Sequence, residues 1–247
     1  MAVNNPTWGQ EHIADELSLK LGILVSPRTV RNYWPQDLVP RRVRGQGWTT
    51  FVRNHANVMI ACDFAAVVTA RFRVLYVLVI MEVGRRRILH CNVTSHPTAL
   101  WTVQQFRDAI ATDHTYRFLI HDRDSIFSQQ VDEAVEGLGL QALRTPVRAP
   151  QANAYCERLV GTIRRECLDF MIALSEKHLR RILREWVTHY NFGRPHRSLG
   201  PGLPIPDPEL PRTPQPNRYQ LPEGWNIVTR SVLSGLHHEY RLGKAAA

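Results

Sequence analysis

The sequence predicts an α/β fold, a mixed sheet flanked by helices, preceded by a short helical segment and followed by a proline-rich tail. Three observations predict it. Short β-branched runs alternate with helical periodicities between residues 51 and 200, acidic residues interrupt or end two of the apolar runs, and nine of the 16 prolines fall within 195–222. At 247 residues, with 44% hydrophobic and 21% charged, the chain has material for one large domain or a medium one with appendages.

Composition excludes several classes. The longest apolar run, 74–81, is far short of the roughly 20 residues that span a bilayer, so no membrane partner is expected. The N-terminus lacks a basic stretch followed by an apolar one, which predicts no secretory leader and a cytoplasmic, nucleoid-associated protein. Cys62, Cys91, Cys156 and Cys167 form no Cys-x-x-Cys pair, which argues against a disulfide framework and a zinc knuckle. The net charge is +9, and only three of the 31 basic residues are lysine. Arginine's planar fork suits phosphates and base edges, so the charge points to a polyanion, nucleic acid before membrane. Genome composition accounts equally well for arginine's excess over lysine.

The first 34 residues read as a partial helix-turn-helix. Ile13, Leu17 and Leu21 recur at helical spacing until Gly22. Ser26 is placed as an N-cap and Pro27 at the first helical position, where a missing N–H costs nothing. A second helix over 27–34 would carry Arg28, Arg31 and Asn32 outward, residue types that touch phosphates and bases. With no third helix upstream of Trp8, the module reads as truncated; a plain helical hairpin is the other reading. Residues 35–50, with Arg41, Arg42 and Arg44, read as a basic linker.

In the core, 51–200, strands are expected at 58–64, 74–81, 87–93, 116–121 and 140–145. A helix is expected from Pro97, carried by Leu100, Val103, Phe106 and Ile110, another at 131–138, and two long ones at 153–172 and 175–192. Arg85, Arg86 and Arg87 read as a solvated turn. The tail, 201–247, is an extended connector with a strand or hairpin near 226–233; His237 and His238 are too sparse for a metal site.

Asp63 sits in an apolar strand, Asp122 ends another, and Glu157 lies on the first long helix. Aspartate is disfavoured in strands, and a buried carboxylate needs a partner or a metal. His121 beside Asp122 should point to the opposite face, and Cys62 and Cys156 are read as small hydrophobes.

The order of elements is that of the ribonuclease-H-like fold, and the acids resemble those of the DDE transposases and retroviral-type integrases of insertion sequences and retroviruses. Asp122-Arg-Asp-Ser-Ile-Phe127 is similar to that group's Asp-Asn-Gly-Ser-x-Phe. Pro150-Gln-Ala-Asn153-Ala-Tyr-Cys-Glu157-Arg158 is similar to its Pro-x-x-Asn-Gly-x-x-Glu-Arg, and 34 residues separate Asp122 from Glu157. His189-Tyr190-Asn191 and Arg194 to Leu199 resemble the stretch closing that core. Asp124 and Ala154 stand where the group has glycine, and the zinc module of retroviral integrases has no counterpart. Register favours Asp122 over Asp124 as the ligand.

The resemblance implies an enzyme that cleaves DNA and transfers a 3′-OH end during transposition, with two Mg²⁺ or Mn²⁺ ions held by Asp63, Asp122 and Glu157. Three carboxylates suit such hard ions. The resemblance also implies DNA partners, element ends and target, and a homo-oligomer on DNA. Gly161, Arg164 and Arg165 share the face of Glu157; Arg164, Arg165, Arg158 and Asn153 are expected to touch DNA, with a solvated basic face as the alternative for the arginines. Two other readings stay open: a catalytically silent DNA-binding remnant of a mobile element, and a ribonuclease-H-like nuclease without strand transfer.

Overall fold

A computed structural model describes residues 1–2, 8–35, 47–145, 153–200, 202–208, 221 and 224–244. Arg41, Arg42, Arg44, Pro150 and most of the proline-rich connector lie outside the described residues. The chain divides into two compact units, Met1–Gly47 and Trp48–Ala247.

In the first unit, α1 (Gln10–Leu21) buries Ile13 and Ala14 and ends at Gly22, whose left-handed backbone (φ 67°) lets its N–H reach back to the helix. The second helix, α2 (Pro27–Asn32), starts as expected: Thr29 N–H donates to Ser26 Oγ at 3.1 Å. It stops two residues earlier than the sequence reading placed its end. Arg28, Arg31 and Asn32 are all exposed.

The second unit begins with α3 (Trp48–His55), inside the stretch read as linker. Phe51 explains it: its ring meets Phe118 edge-on at 5.2 Å, fastening the helix to the sheet. The strands are β1 (Met59–Val68), β2 (Val74–Glu82), β3 (Ile88–Thr94), β4 (Phe118–His121) and β5 (Gln141–Arg144), in the order β3-β2-β1-β4-β5. The first three are antiparallel; β4 and β5 run parallel to β1. This is the mixed sheet expected from the sequence.

Helices cover both faces. On one side α4 (Ala99–Ala109) and α5 (Gln129–Gly137) pack on Ile60, Cys62, Leu78 and Leu119. On the other, α6 (Ala154–Glu166) and α7 (Glu176–Phe192) pack on Met59, Ala61, Ala65 and Ile120. Adjacent β1 residues therefore serve different cores, as strand alternation requires.

The tail forms a hairpin, β6 (Trp225–Val232) and β7 (His237–Lys244). Only its first strand was expected. Val232 and Leu233 join the core under α6 and α7, Glu185 accepts from Leu233 N–H at 2.5 Å, and His237 stacks on His189 with centroids 4.8 Å apart. His237 is thus a packing and hydrogen-bonding group, its Nε2 2.6 Å from the Glu166 carbonyl, while His238 is exposed on β7.

Candidate active site

β1 and β4 pair with Ala61 opposite Ile120. Two residues further along each chain stand Asp63 and Asp122, so the register carries both carboxylates out on the face that α6 covers. His121 points the other way, as alternation requires. It is fully buried, its Nδ1 donates to the Asp122 carbonyl at 2.7 Å, and its Nε2 stands 3.0 Å from Asp132 Oδ1, an ion-pair distance without hydrogen-bond alignment.

Local backbone donors hold the two aspartates. Phe64 N–H donates to Asp63 Oδ1 at 2.7 Å, and Asp124 N–H donates to Asp122 Oδ1 at 3.0 Å. Asp124 is exposed and accepts from Ile126 N–H at 3.0 Å, so its carboxylate closes the turn after Asp122. The Asp63 pKa is raised from its ordinary 3.8 to about 7, first by burial and then by the Asp122 charge; Phe64 N–H opposes, and Glu157 and Asp124 add smaller repulsions. The four acids therefore share one electrostatic neighbourhood.

Glu157 is exposed in the first turn of α6. Among the described residues, Asp63, Asp122 and Glu157 take part in no ion pair. Nor do any three described Asp, Glu, His or Cys groups converge closely enough to hold an ion as they stand. The convergence expected of the three carboxyls is therefore incomplete, as mutual repulsion of like charges favours. The donor set nevertheless fits a hard divalent cation: three carboxylates, with the neighbouring Cys62 and Cys156 thiols pushed up by burial and so protonated.

One expectation for α6 needs correction. Asn153 does not project toward a substrate: it is buried, its Nδ2 donating to the Cys62 carbonyl at 3.2 Å, which ties the start of α6 to the residue before Asp63. The tip of the Arg165 side chain lies over Gly161, where a Cβ would meet its Nη1 at 3.0 Å. Arg164 commits one nitrogen to the Ala66 carbonyl at 3.0 Å, which clips α6 to β1. Both arginines remain exposed. Arg158 lies on another side of the helix, lining a cleft with Arg86 and Tyr155.

The turn at Arg85, Arg86 and Arg87 also differs from expectation. Only Arg85 is exposed. Arg87 pairs with Glu82 at 2.9 and 3.0 Å, and Arg86 lies over the Tyr155 ring, 4.0 Å from its centroid. Neither position carries a signal in the sequence, since an inward arginine in a turn looks like any other.

Residues 138–204, which include Glu157 but neither aspartate, match the family described as "Integrase core domain". A 62-residue stretch is 37% identical to an uncharacterized 39.2 kDa protein of insertion element IS476 from Xanthomonas euvesicatoria, covering 25% of this chain and 18% of that protein. A 63-residue stretch is 36% identical to the putative transposase InsD of insertion element IS2E from Escherichia coli, covering 26% of this chain and 29% of that protein. The matched stretches thus span less than a third of either relative's length. Among solved structures, the simian T-cell lymphotropic virus intasome in complex with PP2A regulatory subunit B56 gamma aligns over 97% of this chain and 96% of its own, with TM-score 0.50 and 12% identity. At that identity the likeness is one of fold, and the fold is that of ribonuclease-H-like integrase cores. Of the three acids that carry the resemblance, the family match covers Glu157 alone. Among the described residues, no helix is long and apolar enough to cross a membrane.

Proposed function

We propose that the chain is a DDE-type transposase or integrase that cleaves a DNA strand and transfers the resulting 3′-OH end during recombination. One observation carries this reading. Asp63 and Asp122, on neighbouring parallel strands, and Glu157, on the helix covering them, form a partly buried carboxylate group with no protein counter-charge among the described residues. Buried acids kept for stability are paired; the partly buried Asp63 and Asp122 are not, and with the exposed Glu157 they are left for a cation.

Asp63, Asp122 and Glu157 would hold Mg²⁺ or Mn²⁺. Two such ions, when bound, supply charge stabilisation for the attacking and leaving oxygens of an in-line displacement at phosphorus. The protein's part is placement. Phe64 N–H and Asp124 N–H fix the two aspartates, Asn153 anchors the helix bearing Glu157, and the Arg164 clip to β1 keeps that helix against the strand. Arg28, Arg31 and Asn32 on α2, Arg41, Arg42 and Arg44 beyond it, and Arg158, Arg164 and Arg165 on α6 supply phosphate and base contacts to element ends and target DNA. The working form is a homo-oligomer on that DNA, in the cytoplasm at the nucleoid.

The test is nicking and joining of donor-end DNA in Mg²⁺ or Mn²⁺, with Asp63→Asn, Asp122→Asn and Glu157→Gln beside the unaltered chain. Each variant should lose both reactions while binding DNA as well as before. An unaltered chain that binds element ends and never cuts them with either metal would make it a silent DNA-binding remnant. An inactive Asp124→Asn beside an active Asp122→Asn would shift the ligand assignment by two residues.

A further inference from the structure

The inward-turned Arg86 and the side of α6 facing away from the acids meet in one cleft of about 420 Å³, within the roughly 300–1,000 Å³ range of ligand sites. Arg86 adopts a left-handed backbone conformation, φ 62°, uncommon for a residue other than glycine. That conformation lays its half-buried guanidinium on Tyr155. Buried charges are ordinarily paired with opposite ones, yet the half-buried Arg86 has no carboxylate partner among the described residues; the exposed Arg158 and Arg197, which also line the cleft, are free of carboxylates as well.

The other basic groups there are already neutralised. Arg194 is held in a fork by Glu166, with contacts of 2.7 and 2.6 Å. Burial lowers the His196 pKa, and its Nε2 faces the Tyr190 carbonyl at 3.3 Å, so the ring is a neutral donor there. Three uncompensated guanidiniums therefore converge on one depression. Arg86 covers one face of Tyr155, and the concentration of guanidiniums along the cleft favours a phosphate.

We propose that the cleft between Arg86, Arg158 and Arg197 is a phosphodiester-binding subsite that grips the DNA backbone on the side of α6 away from the carboxylates. It rests on the reading of the chain as DNA-binding, and is independent of whether the acids catalyse. Guanidinium forks match phosphate oxygens bidentately, and each neutralised phosphate releases counterions.

Binding of labelled duplex DNA to the full chain, followed by fluorescence anisotropy over a KCl series, tests it. The variants are Arg197→Gln, Arg86→Asn with Arg197→Gln, and the control Arg107→Gln, an exposed arginine on α4. Asparagine tolerates the left-handed backbone at position 86. The slope of log K against log salt should fall in magnitude by about 0.9 for Arg197→Gln and about 1.8 for the pair, and stay unchanged in the control. If the double variant misfolds by circular dichroism, the exposed Arg197→Gln carries the test alone. A steep slope in the unaltered chain that neither variant changes overturns the subsite. A slope near zero in the unaltered chain removes DNA binding itself, and the subsite with it. Titration with inorganic phosphate separates the two sources of a phosphate group. Saturable phosphate binding that the double variant loses, with no change in the DNA slope, would overturn DNA as the occupant.

Discussion

Asp132 and Asp63 lie on opposite sides of the central sheet and meet opposite surroundings. Asp132, on α5, has His121 at 3.0 Å and Arg144 at 2.8 and 2.5 Å. Asp63, on β1, has a single backbone donor and three neighbouring acids. Glu82 and Glu166 follow the first pattern, closed by Arg87 and Arg194; Asp122 and Glu157 follow the second. A carboxylate that holds the fold together comes with its cation built in. One without it costs the fold something, which marks it as a candidate for chemistry.

The largest separation of the two classes is in activity. Asp63→Asn, Asp122→Asn or Glu157→Gln should each lower nicking on the order of 10³-fold or more, the scale of several kcal/mol of transition-state charge stabilisation. Asp132→Ala should act the other way. It should lower stability by about 2 kcal/mol, because Arg144 loses its acceptor and the buried His121 its neighbouring carboxylate, and it should leave nicking per folded molecule unchanged. Urea unfolding and single-turnover cleavage read the two quantities separately. If Asp132→Ala were as inactive as Asp63→Asn at equal folded fraction, the division between the two sides would fail.

A smaller effect is in pH. The Asp63 carboxyl titrates near 7 in the folded chain and near its ordinary 3.8 when unfolded. Between those values the folded state holds a proton that the unfolded state has released. Stability of the metal-free protein should therefore fall as pH rises through that window and be fully present below it. Melting temperature against pH for the unaltered chain, less the same curve for Asp63→Asn, isolates the term. A flat difference would show that Asp63 carries no such burden.

The mixed sheet and the chain order of its strands were legible because β-branched runs are local signals, and the acids stood out as charged interruptions of those runs. The rest was not, for identifiable reasons. Residues 237–244 alternate half-buried and exposed positions with few apolar side chains, so β7 leaves little periodicity to detect. Helix α3 follows a run of prolines, glycines and arginines, and only the contact of Phe51 with Phe118, 67 residues later in the chain, explains it. The inward turn of Arg86 depends on a positive φ that arginine does not advertise. Asn153 was placed on the correct helix turn; whether it faced solvent or strand depended on the distant Cys62 carbonyl.

The smallest expected effect concerns Asp124. Asparagine there keeps an oxygen for Ile126 N–H, so Asp124→Asn should cost less than about tenfold in nicking, the scale of one lost charge near the site.

The most direct test of the unpaired carboxylates is Mn²⁺ binding measured by electron paramagnetic resonance on the DNA-bound protein. Two bound ions per chain are expected for the unaltered protein and for Asp132→Asn, with binding lost or sharply weakened in Asp63→Asn, Asp122→Asn and Glu157→Gln. Equal Mn²⁺ binding by all five proteins would contradict the account, because the charges left unpaired on the α6 side of the sheet would then have no cation to serve.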